Sequence, residues 1–260
     1  MVIIDVSIKK HFLNNNKKDF QSIYSNLLEF KAIKKMGLLN FELTNNDYIE
    51  EYNSLLKETN FHNISLSTIK NIKGFAFIVN ILPLPQNNSF YQNEMNGIVA
   101  YTIERKIYIH ISPIKFINNI NVFESLLIHE FQHVLRNFLF KSPKSLLDVL
   151  IDEGLSELFV KEMLGEDRVN NWALKNDECI LSNYYQIFFE NILCTDKKFI
   201  SEFLNGSNDK KIPLWLGYSL GYRIVDAFRK KNKGIDLIDI IKISSSDILK
   251  VYENHKRIKQ

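Results

Sequence analysis

Cysteine is almost missing from this chain, with Cys179 and Cys194 the two among 260 residues. Neither belongs to a CxxC pair or stands at zinc-finger spacing from a histidine, so a thiolate metal knuckle is excluded. Two thiols also make no disulfide framework, and they read as buried free cysteines of a reducing, cytoplasmic setting. Long apolar runs are lacking too. The longest, residues 75–84, is interrupted by Asn80 and Pro83, and it falls well short of the ~20 residues that span a bilayer. Residues 1–10 turn charged after the first four and offer no apolar core for a secretory signal. Nor does charge of one sign dominate: 33 basic residues against 30 acidic ones leave +3. The basic residues are scattered, without the stripe that nucleic acid requires. Membrane and nucleic acid are therefore not expected partners.

The rest of the composition, 45% hydrophobic and 24% charged over 260 residues, is that of a globular chain able to bury its own core. Helical spacing recurs in residues 17–70, at Phe20, Ile23, Tyr24, Leu27 and Leu28 and again at Tyr48, Tyr52, Leu55 and Leu56. Residues 74–82 are β-rich and closed by prolines, which predicts a strand. Residues 97–103 and 106–112 predict a hairpin turning at Glu104-Arg105. In its second strand Ile107, Ile109 and Ile111 share one face, and Tyr108, His110 and Ser112 the other. From about residue 120 the pattern is helical, with breaks expected at Ser142-Pro143, Gly165-Glu166, Gly206-Ser207 and Lys233-Gly234. The expected fold class is α+β, mainly helical with a small sheet. Its divisions are an N-terminal helical region, 1–70, and a second domain, 71–260. The latter holds the sheet at 74–112, a helix pair at 120–164 and C-terminal helices at 165–260.

One segment carries chemistry. Histidine is scarce, 6 in the chain, yet two fall four apart in His129-Glu130-Phe131-Gln132-His133. Residues 122–136 around them lack Gly and Pro and have a broad apolar face: Phe123, Leu126, Leu127, Phe131, Val134 and Leu135. On a helix, residues four apart project side by side, so His129 and His133 can offer imidazole nitrogens to one zinc ion at about 2.0–2.1 Å each. Glu130, one step round the helix, stands where a general base takes a proton from water activated by the metal.

A third ligand follows from the chain's return. Ser142 with Pro143, or Ser145 with Asp148 in capping-box register, can start a second helix. About seven residues out from His133, roughly 10 Å, and about eight back, roughly 12 Å, bring Glu153 level with His133. Two histidines and one glutamate leave a fourth position for water, the mark of a catalytic zinc site. Glu157, one turn on, is placed to accept the outer N–H of a ligating histidine, with Asp152 the alternative. Gly154 would let the two helices of this pair approach closely.

The pattern His129-Glu130-x-x-His133 followed by Glu153 resembles the glutamate zincins, the thermolysin-like metallopeptidases. A closer likeness is to a bacterial family of predicted zinc-dependent proteases. That family pairs such a helix with Glu-Gly-x-x-Glu, here residues 153–157, and a later Gly-Tyr-x-x-Gly-Tyr, here residues 217–222. The likeness spans roughly residues 95–230. It implies a zincin-like domain with its sheet packed beside the histidine helix, one zinc per chain on His129, His133 and Glu153, Glu130 as base and proton shuttle, and Glu157 behind a ligand. The implied activity is hydrolysis of a peptide or protein substrate, paired in extended form with an edge strand for which 97–103 is the candidate. The alternative is a catalytically inactive zincin-like module for interaction or regulation. Residues 217–222 also space small residues for close helix packing. Tyr218 and Tyr222 are packing tyrosines on one reading; on the other, one phenol donates to the reaction's oxyanion. Arg223 and His110 are further candidates for that role.

Overall fold

Glu104 and Arg105 do turn the chain, and they do so without glycine: Glu104 takes a left-handed φ of 55°. The strands they join are β3, Ile98–Ile103, and β4, Lys106–Ile111, antiparallel with Ile103 opposite Lys106. This computed structural model describes residues 3–7, 76–83, 90, 93–111, 120–140 and 143–259. The helices expected within 17–70 lie outside the described residues. Contacts divide the chain into two compact units, residues 1–134 and 135–260.

In the first unit the hairpin is half of a four-stranded sheet. Strand β2, Ala76–Pro83, runs parallel to β4, and β1, Ile3–Ser7, runs parallel to β2, giving the order β1-β2-β4-β3. The strand expected at 74–82 is thus present, and β1 is an addition. Alternation sorts the hairpin's side chains. Ile98, Ile107 and Ile109 are fully buried on one face. On the other, Tyr101 stacks against Tyr108 at 5.1 Å and His110 at 5.7 Å. Helix α1, Ile120–Leu139, covers and exceeds the expected 122–136. Phe123, Leu126, Leu127, Phe131 and Val134 are buried as its apolar pattern requires. The sheet and this helix meet through the strand face that carries Thr102, whose hydroxyl reaches Glu130.

The second unit begins with the last turn of α1 and is built on α2, Leu146–Leu164. Of the two possible caps the chain uses Ser145, which with Asp148 completes a capping box. The first N–H groups of α2, which no turn of the helix can satisfy, donate from Leu146 to Cys194 O at 2.8 Å and from Leu147 to Ile192 O at 3.1 Å. Buried residues ring α2, from Leu150 and Ile151 to Leu155, Leu158 and Phe159, which makes it the central helix of the unit. Around it stand α3, Asn171–Leu174, α4, Glu178–Glu190, α5, Lys197–Asn205, α6, Leu216–Lys231, α7, Leu237–Ile241, and α8, Ser245–Lys259. Helix boundaries fall at all four expected breaks. Both cysteines are free, but Cys179 is exposed and Cys194 only half-buried, so the expectation of buried thiols is corrected. Cys179 sits in the first turn of α4, a helix whose buried residues are Leu181 and Phe188.

Backbone meets backbone between α2 and α6. A Cβ on Gly154 would lie 2.3 Å from Gly221 O, and one on Gly221 would lie 2.0 Å from Leu150 O. The close approach that Gly154 permits is therefore made toward α6. Of the small residues in 217–222, Gly221 makes this contact, whereas a Cβ on Gly217 would lie 2.7 Å from the Leu204 Cα of α5. Gly221→Ala must spread the two helices, and overpacking of this kind costs about 1–3 kcal/mol. The expected result is a lower urea midpoint with an unchanged slope; an unaltered midpoint would contradict the contact.

Candidate metal centre

The imidazoles of His129 and His133 converge because α1 sets them one turn apart on the same side. Their Nε2 atoms stand 3.2 Å apart, with ring planes at 73°. Two ligands at about 2.0–2.1 Å from one tetrahedral ion are separated by about 3.3–3.4 Å, so this spacing fits a shared zinc without a change of rotamer. Both side chains are shielded: His129 is 4% exposed, and His133 is half-buried. Two imidazole nitrogens converging in this way can serve one ion together.

Glu153 belongs to the same group. One ligand atom each from His129, His133 and Glu153 lie within 4.8 Å of one another. Neutral imidazoles and a carboxylate are the donors that zinc takes in catalytic sites. Helix α1 continues without a break into its last turn, where Arg136 forms an ion pair with Asp152 at 3.3 Å, side chains 2% and 6% exposed. Arg136 also donates to Ile241 O at 2.7 Å and to Ser245 Oγ at 3.4 Å. Asp152, the alternative acceptor for a histidine N–H, is thus the counter-ion that ties α2 to the end of α1. Charge buried this deeply persists only when paired and hydrogen-bonded.

Glu130 is 4% exposed and meets a partner from the sheet. The Thr102 hydroxyl donates to its Oε2 at 2.7 Å and lies 3.1 Å from its main-chain oxygen. Glu157, fully buried, accepts from the Asn170 backbone N–H at 2.9 Å, from Asn170 Nδ2 at 3.0 Å and from Trp172 Nε1 at 2.9 Å. Its carboxylate thereby holds the segment after α2 against the helix. Ring contacts then run from Trp172 to Tyr218, 6.3 Å between centroids, and from Trp215 to Tyr218, 5.5 Å.

The remaining predicted residues have partners of their own. Tyr222 is buried beside Lys161 and Asp226, and burial, then the Asp226 carboxylate, push its phenol up to about 12. Lys161 lies eight residues past Glu153 on α2, or about 12 Å along the axis. Arg223 is half-exposed and pairs with Glu178 at 3.4 Å. His110 faces Tyr101 on the sheet surface opposite the one carrying Thr102. Sequence reading missed three contributors: Thr102, Arg136 and the Asn170–Trp172 pair. Strand parity was the available signal for Thr102, since it shares a face with Ile98 and Ala100.

Comparison with known proteins agrees with this donor set at a coarse level. The profile of a family described as "Predicted Zn-dependent protease (DUF2268)" matches residues 53–250, a wider stretch than the motifs span. "Uncharacterized protein YjfC" of Bacillus subtilis (strain 168) is 29% identical over 140 residues, 48% of this chain and 45% of that protein. The chain thus matches less than half the length of that relative. No solved structure matches it. Among the described residues no helix is long and apolar enough to cross a membrane.

Proposed function

The chain belongs to the DUF2268 family of predicted zinc-dependent proteases, and from that premise we propose a zinc metallopeptidase of the glutamate-zincin type. One zinc per chain is held by His129, His133 and Glu153, and Glu130 is the general base. The observation that supports this most directly is the convergence of two imidazoles and a carboxylate within 4.8 Å. Bound there, zinc supplies a Lewis acid that polarises a scissile carbonyl and lowers the pKa of water toward about 7.

The chain's own groups do the rest. Glu130 takes the proton of the attacking water on its carboxylate and delivers it to the leaving amine as the peptide bond breaks. Strand β3, terminal among the described strands, offers its outer edge to an extended peptide by strand addition. Tyr218 serves as oxyanion donor in preference to Tyr222, whose phenol is committed to the Lys161 and Asp226 cluster. Glu157 steadies this side of the site through Trp172, the ring that abuts Tyr218.

Metal content of the purified chain tests the reading. One zinc per chain is expected by elemental mass spectrometry, with loss of that zinc in His133→Ala and a fold retained by circular dichroism. Protein free of metal after purification in zinc-supplemented buffer would overturn it. Full zinc with no cleavage of a broad peptide library would favour an inactive interaction module.

A further inference from the structure

Thr102 has no part in the motifs that define the site, yet its hydroxyl donates to the carboxylate of the base. Its hydroxyl carries one hydrogen. At 2.7 Å from Glu130 Oε2 and 3.1 Å from Glu130 O, that hydrogen goes chiefly to the carboxylate. The two residues are 28 apart in sequence, so the bond is made by the fold and not by local chain geometry. We propose that Thr102 is a positioning residue for catalysis, holding the Glu130 carboxylate in one orientation from the strand that also borders the substrate.

A carboxylate on a residue 4% exposed needs donors, and a neutral hydroxyl supplies one without adding a counter-charge that would make the base a poorer proton acceptor. Threonine is branched at Cβ, so its χ1 is stiff in a strand and its oxygen stays where the backbone puts it. The strand itself is fixed by the ladder to β4, where Thr102 stands opposite the fully buried Ile107. The chain of support thus runs from sheet core to hydroxyl to base. A base held in this way spends more of its time in line with the proton it must take.

The inference rests on the reading of Glu130 as base, and the test separates the two. Zinc content, kcat and KM on a fluorogenic peptide would be measured for the wild type, Thr102→Val, Thr102→Ser, Glu130→Gln and the Thr102→Val/Glu130→Gln pair. General-base catalysis contributes about 10²–10⁴-fold. Losing the base's orientation is expected to forfeit a part of that, about tenfold or more in kcat, with KM within about twofold and zinc still at one per chain. Serine keeps the hydroxyl and is expected to restore kcat to within a few-fold. In the Glu130→Gln background the valine change should add nothing to the loss. Unchanged kcat in Thr102→Val, a rise in KM alone, loss of zinc, or a serine variant as poor as valine would each overturn the assignment. An inert wild type carrying full zinc would instead overturn the peptidase reading and the assignment together.

Discussion

Glu130→Gln is expected to keep one zinc per chain and to lose about 10²–10⁴-fold in kcat. Glutamine matches glutamate in size and keeps an oxygen that can accept the Thr102 hydroxyl. What it lacks is a basic oxygen able to carry a proton between water and the leaving amine. The ligands His129, His133 and Glu153 are untouched, which is why metal content and turnover should part company in this variant. Steady-state kinetics beside elemental analysis would decide it. A variant that turns over as fast as the parent removes Glu130 from the chemistry, whatever the metal does.

Stability is where the second large effect is expected, at Asp152. Its partner Arg136 is 2% exposed, and Asp152→Ala would leave that guanidinium with two neutral acceptors, Ile241 O and Ser245 Oγ, and only the weaker attraction of Asp148 in place of its ion-pair partner. Breaking a buried pair by removing one partner costs about 3–5 kcal/mol. Replacing both, as Arg136→Met with Asp152→Leu, should cost much less than either single truncation, because no buried charge is then left uncompensated. Urea unfolding of the four proteins gives the coupling directly. A loss below about 1 kcal/mol for Asp152→Ala would mean that water reaches the guanidinium. Arg136 is one turn beyond His133 and Asp152 adjoins Glu153, so a weaker hold on zinc against a competing chelator should accompany the loss of stability.

The parts of this molecule that could be read in advance are those whose causes are local. A pair of histidines four apart on an apolar helix, the Ser145–Asp148 box and the helix breaks each depend on a few neighbouring residues, and each is found where the spacing put it. Glu153 could be placed because counting rise per residue along two helices and a short turn needs no knowledge of distant sequence. Strand β1 could not. Five residues, Ile3–Ser7, are too few to show a period, and their partners, residues 76–80, are more than seventy positions away. Gly154 announced a close contact but not its partner, since a missing side chain says nothing about which surface fills the gap. Thr102 was hidden by its ordinariness. Threonine suits any strand, and only the packing of that strand against α1 gives its hydroxyl a carboxylate to bond. Tyr222, weighed as an oxyanion donor, stands beside Lys161 and Asp226, a neighbourhood that no motif encodes.

The glycine contact between α2 and α6 bears on how finely the ligand Glu153 is aimed. Two helices resting on each other through side chains can roll about their axes or slip lengthwise, because rotamers give way. Here Gly221 sits against the carbonyl of Leu150, and Gly154 against the carbonyl of Gly221, so peptide planes act as key and keyway. Rolling or slipping by even a fraction of a residue would drive main-chain atoms into each other. The azimuth of α2, and with it the direction in which the carboxylate beside Gly154 leaves the helix, is therefore set by hard backbone stops. Apolar residues elsewhere in this core can drift in size with less consequence for the aim of that ligand than a single methyl group at either glycine.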